Sequence, residues 1–245
     1  MHLMRAYAAA LAALAIGLAR EADARADEPV AGQRVVDRMH TVAALELGVL
    51  ALPTAPISAS QRGGNIPFLG TIGRGDATIQ TGIHLLFRGG RSWAIGAGFL
   101  FAPRPTSDTE YGGLSGLPRT HQRSYLFIGI EARYVPLHSK YFEGWVGLSG
   151  GGIIVADRFY TDIPLTVPVL GGKGVTMQSE GASVGIQLGV DWLITDRLVA
   201  GLALRANRWI LPNDPSCSAI GDCTTLLGTT EAFEAGLTFG YRIPL

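Results

Sequence analysis

The chain has no apolar run long enough to cross a bilayer as a helix. Such a span needs about 20 consecutive apolar residues. The longest candidate, Ala8 to Ala19, falls short of that. Charge is scarce as well: only 16% of the 245 residues are charged, and 20 basic side chains cancel 20 acidic ones. That balance gives no reason to expect a nucleic acid partner. Cysteine is nearly absent. The two present, Cys217 and Cys223, fall in one loop with none of the five histidines close by in sequence. A metal centre would need more ligands than this, so neither a metal nor a cofactor is expected. In an exported protein the two would form a local disulfide. Mean hydropathy is nevertheless +0.26, and 33 residues are glycine. High hydropathy without a helix-length apolar run is odd for a soluble protein.

The most informative stretch is the last one, Glu231 to Leu245. Every second residue from Phe233 is apolar: Phe233, Ala235, Leu237, Phe239, Tyr241, Ile243, Leu245. The residues between them are polar, small or proline: Glu234, Gly236, Thr238, Gly240, Arg242, Pro244. Period two means a strand with one apolar face. A strand of this kind at the chain terminus is what a transmembrane barrel needs to close.

The N-terminus reads as an address. A basic residue, Arg5, precedes the apolar run, and Ala22-Asp23-Ala24 and Ala24-Arg25-Ala26 follow it. That is the three-part pattern of a secretory signal peptide. Residues 1–26 are assigned to it, 27–40 to a short periplasmic leader and 41–245 to the folded domain. The mature chain keeps 17 basic and 18 acidic residues.

Seven further strands are expected. They are Thr41–Leu52, Ala77–Phe87, Ser92–Phe101, Arg123–Tyr134, Tyr141–Val155, Ser179–Leu193 and Leu198–Ile210. In all but the fifth, alternate residues are apolar and the others polar or small. Tyr141–Val155 is too glycine-rich for its facing to be read. The connections run long, short, long, short, long, short, long. Outer-membrane barrels pair short periplasmic turns with long external loops in this order. Aromatics sit near both strand ends. Phe87, Trp93, Tyr134, Trp192 and Tyr241 lie by the short turns, and Phe101, Tyr125, Trp209 and Phe233 by the long loops. Interfacial girdles belong at both places. The fold class is therefore all-β: an eight-stranded antiparallel up-and-down transmembrane β-barrel, preceded by a signal peptide.

On these residues the mature chain resembles the OmpA/OmpX-type small outer-membrane barrels. Val190 to Arg205, VDWLITDRLVAGLALR, is similar to a strand–turn–strand unit of that family. The chain end resembles the family's assembly signal at Thr238, Gly240, Ile243 and Leu245, with Leu where the family usually has Phe. The resemblance implies the barrel domain alone, without a periplasmic peptidoglycan-binding domain. It implies the outer membrane of a Gram-negative bacterium, contact with membrane lipid and lipopolysaccharide, use of the barrel-assembly machinery, and a monomer.

A barrel of eight strands is filled by side chains. Inward parity selects a polar network of Glu46, His84, Glu131, Arg133, Gln187, Asp191, Arg205 and Arg242, with glycines making room for the larger groups. A pairing sum near 392 puts Gln187 opposite Arg205 and Asp191 opposite Gly201. Closure is expected to bring Arg242 to Glu46. Three motifs compete for a function. Gly147-Leu148-Ser149-Gly150-Gly151 matches G-x-S-x-G, but a nucleophile elbow needs a strand-to-helix turn that this region lacks. His121 and Ser124, with Asp108 and Glu110, could form a lipid A-modifying site at the outer rim. Arg74-Gly75-Asp76 is an adhesion-type tripeptide. The leading expectation is a structural or surface-binding barrel with no catalytic residue and an extracellular ligand held by its long loops. The alternatives are the rim enzyme and a low-conductance pore.

Overall fold

The computed structural model describes residues 39–53, 76–90, 92–103, 107–112, 117–139, 141–160, 174–218 and 223–245, with side chains described outside 107–120. The expected signal peptide, most of the leader, and the tips of all four long loops lie outside these. Among the described residues all regular structure is strand: β1 (His40–Leu52), β2 (Asp76–Arg88), β3 (Trp93–Ala102), β4 (Ser107–Gly112), β5 (Leu117–His138), β6 (Phe142–Tyr160), β7 (Gly174–Leu193), β8 (Leu198–Ile210) and β9 (Thr229–Pro244).

Each strand pairs antiparallel with its neighbours, and the ring is complete. β9 pairs with both β8 and β1, and β3 pairs with both β2 and β5. The expected count of eight holds for the wall, because β3 and β4 share one partner. Ala102 lies opposite Tyr125 and Ser107 opposite Gln122. The first side therefore advances two residues more than β5 does, which breaks the ladder. Pro103 and Pro105 fall in this interval, and proline cannot donate to a ladder. A second irregularity lies between Tyr134 and Leu137, at Pro136.

Three strands outgrow their expected limits on the long-loop side. β5 begins at Leu117 instead of Arg123, β6 runs to Tyr160 instead of Val155, and β7 begins at Gly174 instead of Ser179. Period-two hydropathy marks only the part of a strand that meets lipid. These extensions stand beyond it and carry exposed polar groups such as Arg158, Gln178 and Glu180.

The outside of the wall is apolar and bare. Leu45, Ile83, Leu148, Ile186 and Phe239 are each more than half exposed, while Glu46, His84, Glu131 and Arg205 are buried inside. In water this inversion would be strongly unfavourable. In hydrocarbon it is the stable arrangement, and a closed ladder leaves no backbone group unpaired there. The protein is a transmembrane β-barrel of outer-membrane type. Phe87, Trp93, Tyr134, Trp192 and Tyr241 all face outward at the short-turn end, and the Trp93 and Tyr134 rings lie 4.8 Å apart. Phe101 and Phe233 face outward at the other end. Tyr125 and Trp209, expected in that girdle, instead point inward and are 2% exposed. Their parity is that of Glu131 and Arg205, so they cannot share a face with the lipid-facing residues.

The alternation fixes the sidedness of the connections. Single cysteines placed at 89, 139 or 195, with Cys217 and Cys223 replaced by Ser, should resist an impermeant maleimide in intact cells. Cysteines at 60, 112, 168 or 220 should react. Labelling of the short turns from outside would overturn the topology.

Candidate functional site

The lumen is built in three tiers, set by inward parity along every strand. The tier at the short-turn end centres on Glu143. Arg88 binds it through two nitrogens, at 2.7 and 3.0 Å, and Arg242 Nη2 donates at 3.0 Å. Beside them the Arg133 guanidinium lies 4.0 Å from the Trp145 ring centroid, a cation–π contact. Asp191 lines the same space, around a cavity of about 40 Å³. That is room for about one water molecule.

The middle tier is a chain of ion pairs. Arg205 grips Glu46 with both terminal nitrogens at 2.6 Å, the fork geometry that suits a carboxylate. His84 bridges two acids, with Nε2 at 3.0 Å from Glu46 and Nδ1 at 2.7 Å from Glu131. Carboxylates only accept, so this position suits an imidazolium with a hydrogen on each nitrogen. Arg133 completes the chain at 2.8 Å from Glu131. Arg205 Nε also donates to Gln187 at 3.2 Å. Above these, Asn207 and Gln80 donate to Glu234 at 2.6 and 3.3 Å.

The bulk of these two tiers is accommodated by glycines on adjacent strands. A Cβ at Gly236 would collide with Glu46, one at Gly98 with Glu131, and one at Gly201 with Asp191. Their space is taken by the acidic side chains across the ladder.

An apolar belt follows, including Leu50, Leu100, Phe127, Ile153, Val155 and Trp209. Beyond it lies the third tier, at the long-loop mouth. Asp157 is its centre: His121 Nε2 lies at 2.7 Å and Arg123 Nε at 3.1 Å. Thr225, from the 211–228 connection, donates to the same carboxylate through its backbone N–H at 3.0 Å and its hydroxyl at 2.6 Å. Arg123 Nη2 also contacts the Thr225 hydroxyl. Tyr125 donates to Asp76 at 2.5 Å, and Arg123 stands 3.7 Å from Asp76.

The eight polar residues selected from sequence all point inward, but they do not form one cluster. Gln187 lies opposite Arg205 and Asp191 opposite Gly201, at the expected sum. Arg242 does not meet Glu46. The closing register sets Glu46 against Thr238 and Arg242 against Val42. Four residues of strand separate the two, so Arg242 reaches across to Glu143 and Glu46 is left to Arg205 and His84.

The rim-enzyme constellation is not assembled. His121 is buried in the mouth and stacks on Phe159 at 4.6 Å. Ser124 is three residues on and therefore faces the opposite side. The side chains of Asp108 and Glu110 lie outside the described residues. Ser149 of the G-x-S-x-G match bonds Asn207 at 3.2 Å within the lumen. Asp76 of the tripeptide is buried against Tyr125 and Arg123; Arg74 and Gly75 are outside the described residues.

Sequence reading missed Arg88, Arg123, Glu143, Trp145 and Asp157 as lumen groups, and it left Gln80, which faces inward as expected, out of the network. Arg88 shares the parity of His84, and Arg123 shares that of Glu131, so parity alone could have found them. Glu143, Trp145 and Asp157 belong to β6, where the run Gly150-Gly151-Gly152 hides which face is apolar. Cys217 and Cys223 are joined as a disulfide.

Several outcomes are expected of this geometry. Replacing Arg205 with Met strands Glu46 in the lumen and should cost roughly 3–5 kcal/mol in unfolding from lipid vesicles. The Glu46→Gln and Arg205→Met changes should be strongly non-additive, as should Glu143→Gln with Arg242→Met. Glu46→Gln with Arg242→Met should be additive; coupling there would contradict the register. Intact-mass measurement without reductant should find no free thiol, and loss of the link should cost about 2 kcal/mol of loop order while leaving barrel unfolding unchanged.

No protein-family model and no curated protein matches the sequence. Solved structures do. The chain is similar to Neisserial surface protein A, at 15% identity and TM-score 0.47 over 84% of this chain and 97% of that one. It is similar to Ail, the attachment invasion locus protein of Yersinia pestis, solved with the heparin analogue sucrose octasulfate, at 9% identity and TM-score 0.47 over 84% and 99%. It is also similar to the outer membrane protein AlkL, solved in lipid bilayers, at 14% identity and TM-score 0.48 over 89% and 97%.

Proposed function

We propose that this protein is a non-conducting outer-membrane barrel that acts through its extracellular surface. The observation that carries the reading is the apolar belt across the lumen. Leu50, Leu100, Phe127 and Ile153 interdigitate there, each 8% exposed or less. An ion passing that level would shed its hydration with nothing to replace it, at a cost of many kcal/mol. In the polar tiers on either side, acids and bases pair with one another. What remains available is the long-loop end, where binding residues collect on a rigid scaffold. The long-loop end is taken as the cell exterior.

Catalysis is not part of this reading, because His121 and Ser124 stand on opposite faces. An integrin-type role for Arg74-Gly75-Asp76 is not supported either, since its Asp76 is turned into the barrel. Thr238 and Gly240 face inward while Ile243 and Leu245 face outward. That exposed apolar edge fits a role in assembly by the outer-membrane insertion machinery. The girdled exterior fits lipid and lipopolysaccharide as its surroundings, with the barrel as a monomer.

Planar-bilayer recording tests the closed lumen. The refolded protein should give no resolvable current steps in 1 M KCl, and vesicles containing it should not swell in small sugars. Steady conductance would overturn the reading. A panel of lipid A, peptides and matrix proteins, presented to cells with and without the loop residues 211–228, should then show whether that loop carries binding.

A further inference from the structure

The 211–228 connection is more than a link between β8 and β9. Its residues 223–226 turn back into the barrel mouth, where Thr224, Thr225 and Leu226 are at most 2% exposed. We infer that this mouth is a binding cup for a small amphipathic molecule, occupied here by the chain's own Thr225 and Leu226. The ligand class is a branched aliphatic group carrying a neutral hydroxyl or amide. The inference rests on the reading of this end as the cell exterior.

The cup has a floor and a rim of different chemistry. Leu226 joins a buried cluster whose wall residues include Leu52, Tyr125, Val155 and Trp209, and the Tyr125 and Trp209 rings are 5.4 Å apart. The rim presents Asp157 as acceptor and Arg123 as donor. The Thr225 hydroxyl satisfies both, giving its hydrogen to Asp157 and accepting from Arg123. A ligand must therefore donate and accept at one head group. A carboxylate could not donate, and it would face Asp157 and Asp76 together. An ammonium could not accept from Arg123. A neutral hydroxyl or amide does both.

The occupant is also built to leave. The two arms of the connection are tied to each other and not only to the wall. Thr224 N–H donates to Ser216 O at 2.9 Å, Leu211 N–H to Gly228 O at 2.8 Å and Gly228 N–H to Pro212 O at 3.0 Å. The Cys217–Cys223 disulfide closes the same hairpin. It can swing out as a unit and keep these bonds. At its base Gly228 has φ of 67°, a left-handed conformation that glycine adopts without strain. Departure of the hairpin gives up the buried contacts of Leu211, Cys223, Thr224, Thr225 and Leu226, and a ligand would replace those of Thr225 and Leu226.

The test uses the full barrel refolded in nanodiscs, with 5-fluorotryptophan at its four Trp positions and the Trp209 resonance assigned through Trp209→Phe. The probe is 3-methylbutan-1-ol. The variant Thr225→Gly/Leu226→Gly empties the cup without touching its rim. It should bind the alcohol saturably, at least tenfold more tightly than the native chain, whose strap competes for the site. Adding Asp157→Asn should weaken the alcohol about tenfold and leave 2-methylbutane, which has no head group, unchanged. Should the double glycine variant lose its heat-modifiable mobility, Cys217→Ser/Cys223→Ser keeps the strap but loosens it, and should also bind more tightly than native. Equal binding by native and variant chains would overturn the cup. So would shifts confined to the lipid-facing Trp93 and Trp192, or tighter binding of 3-methylbutanoate than of the alcohol. The assay uses purified protein, so its failure leaves the non-conducting, surface-acting reading to be judged by current recording and cell labelling.

Discussion

Everything in this structure depends on one constraint: inside hydrocarbon, each backbone N–H and C=O must find a partner in the protein. A sheet meets that demand only by closing on itself. The closure is the ladder between β1 and β9, which runs from His40 opposite Pro244 to Ala51 opposite Phe233. Once it forms, every residue is assigned to lipid or lumen by parity, and a slip of one residue would exchange the two sets. The apolar exterior and the charged interior are two consequences of the same register.

Closure with eight strands also makes the interior small, and this shapes its chemistry. There is little bulk water to solvate a lone charge, so acids and bases must neutralise one another at short range. Arg205 on Glu46, His84 between Glu46 and Glu131, and the arginine pair on Glu143 do so. Space is as limiting as charge. Gly98, Gly201 and Gly236 carry no side chain where Glu131, Asp191 and Glu46 need room. Buried ion pairs of this sort contribute little net stability over an apolar filling. Their more evident effect is to penalise wrong registers, which would leave charges unpaired or facing lipid.

The belt of Leu50, Leu100, Phe127 and Ile153 divides the polar interior into two unequal parts. In the lower part the acids are held by arginines and His84 of the barrel wall itself. The upper part is completed by Thr225, a residue borrowed from the connection above it. The two parts differ in origin: the barrel below is closed by its own staves, and the mouth is where a loop segment and a polar rim meet over an apolar floor.

Much of this was legible in the sequence, and the reason is geometric. Lipid contact imposes a strict period of two, so strand β8 could be placed at Leu198–Ile210 and the β7–β8 pairing at its observed sum from residue types alone. The loop alternation gave strand number and direction. Where the period failed, reading failed with it. The glycines of β6 concealed Glu143 and Asp157, and the strand extensions beyond lipid have no apolar face to betray them. Parity also carried more than was taken from it, since it separates His121 from Ser124 and turns Tyr125 and Trp209 inward. Partners across the lumen are another matter. Parity says that Arg242 and Glu46 both point inward, but not at what height, and height follows from the register of all eight staves together. Outside β6 the sequence by itself determined which residues face the lumen, because that is a local property of alternating side chains. Only the tertiary structure decided which of them meet, and that Thr225 and Leu226 fold back to fill the mouth, because those contacts join residues far apart in the chain through the closure of the barrel.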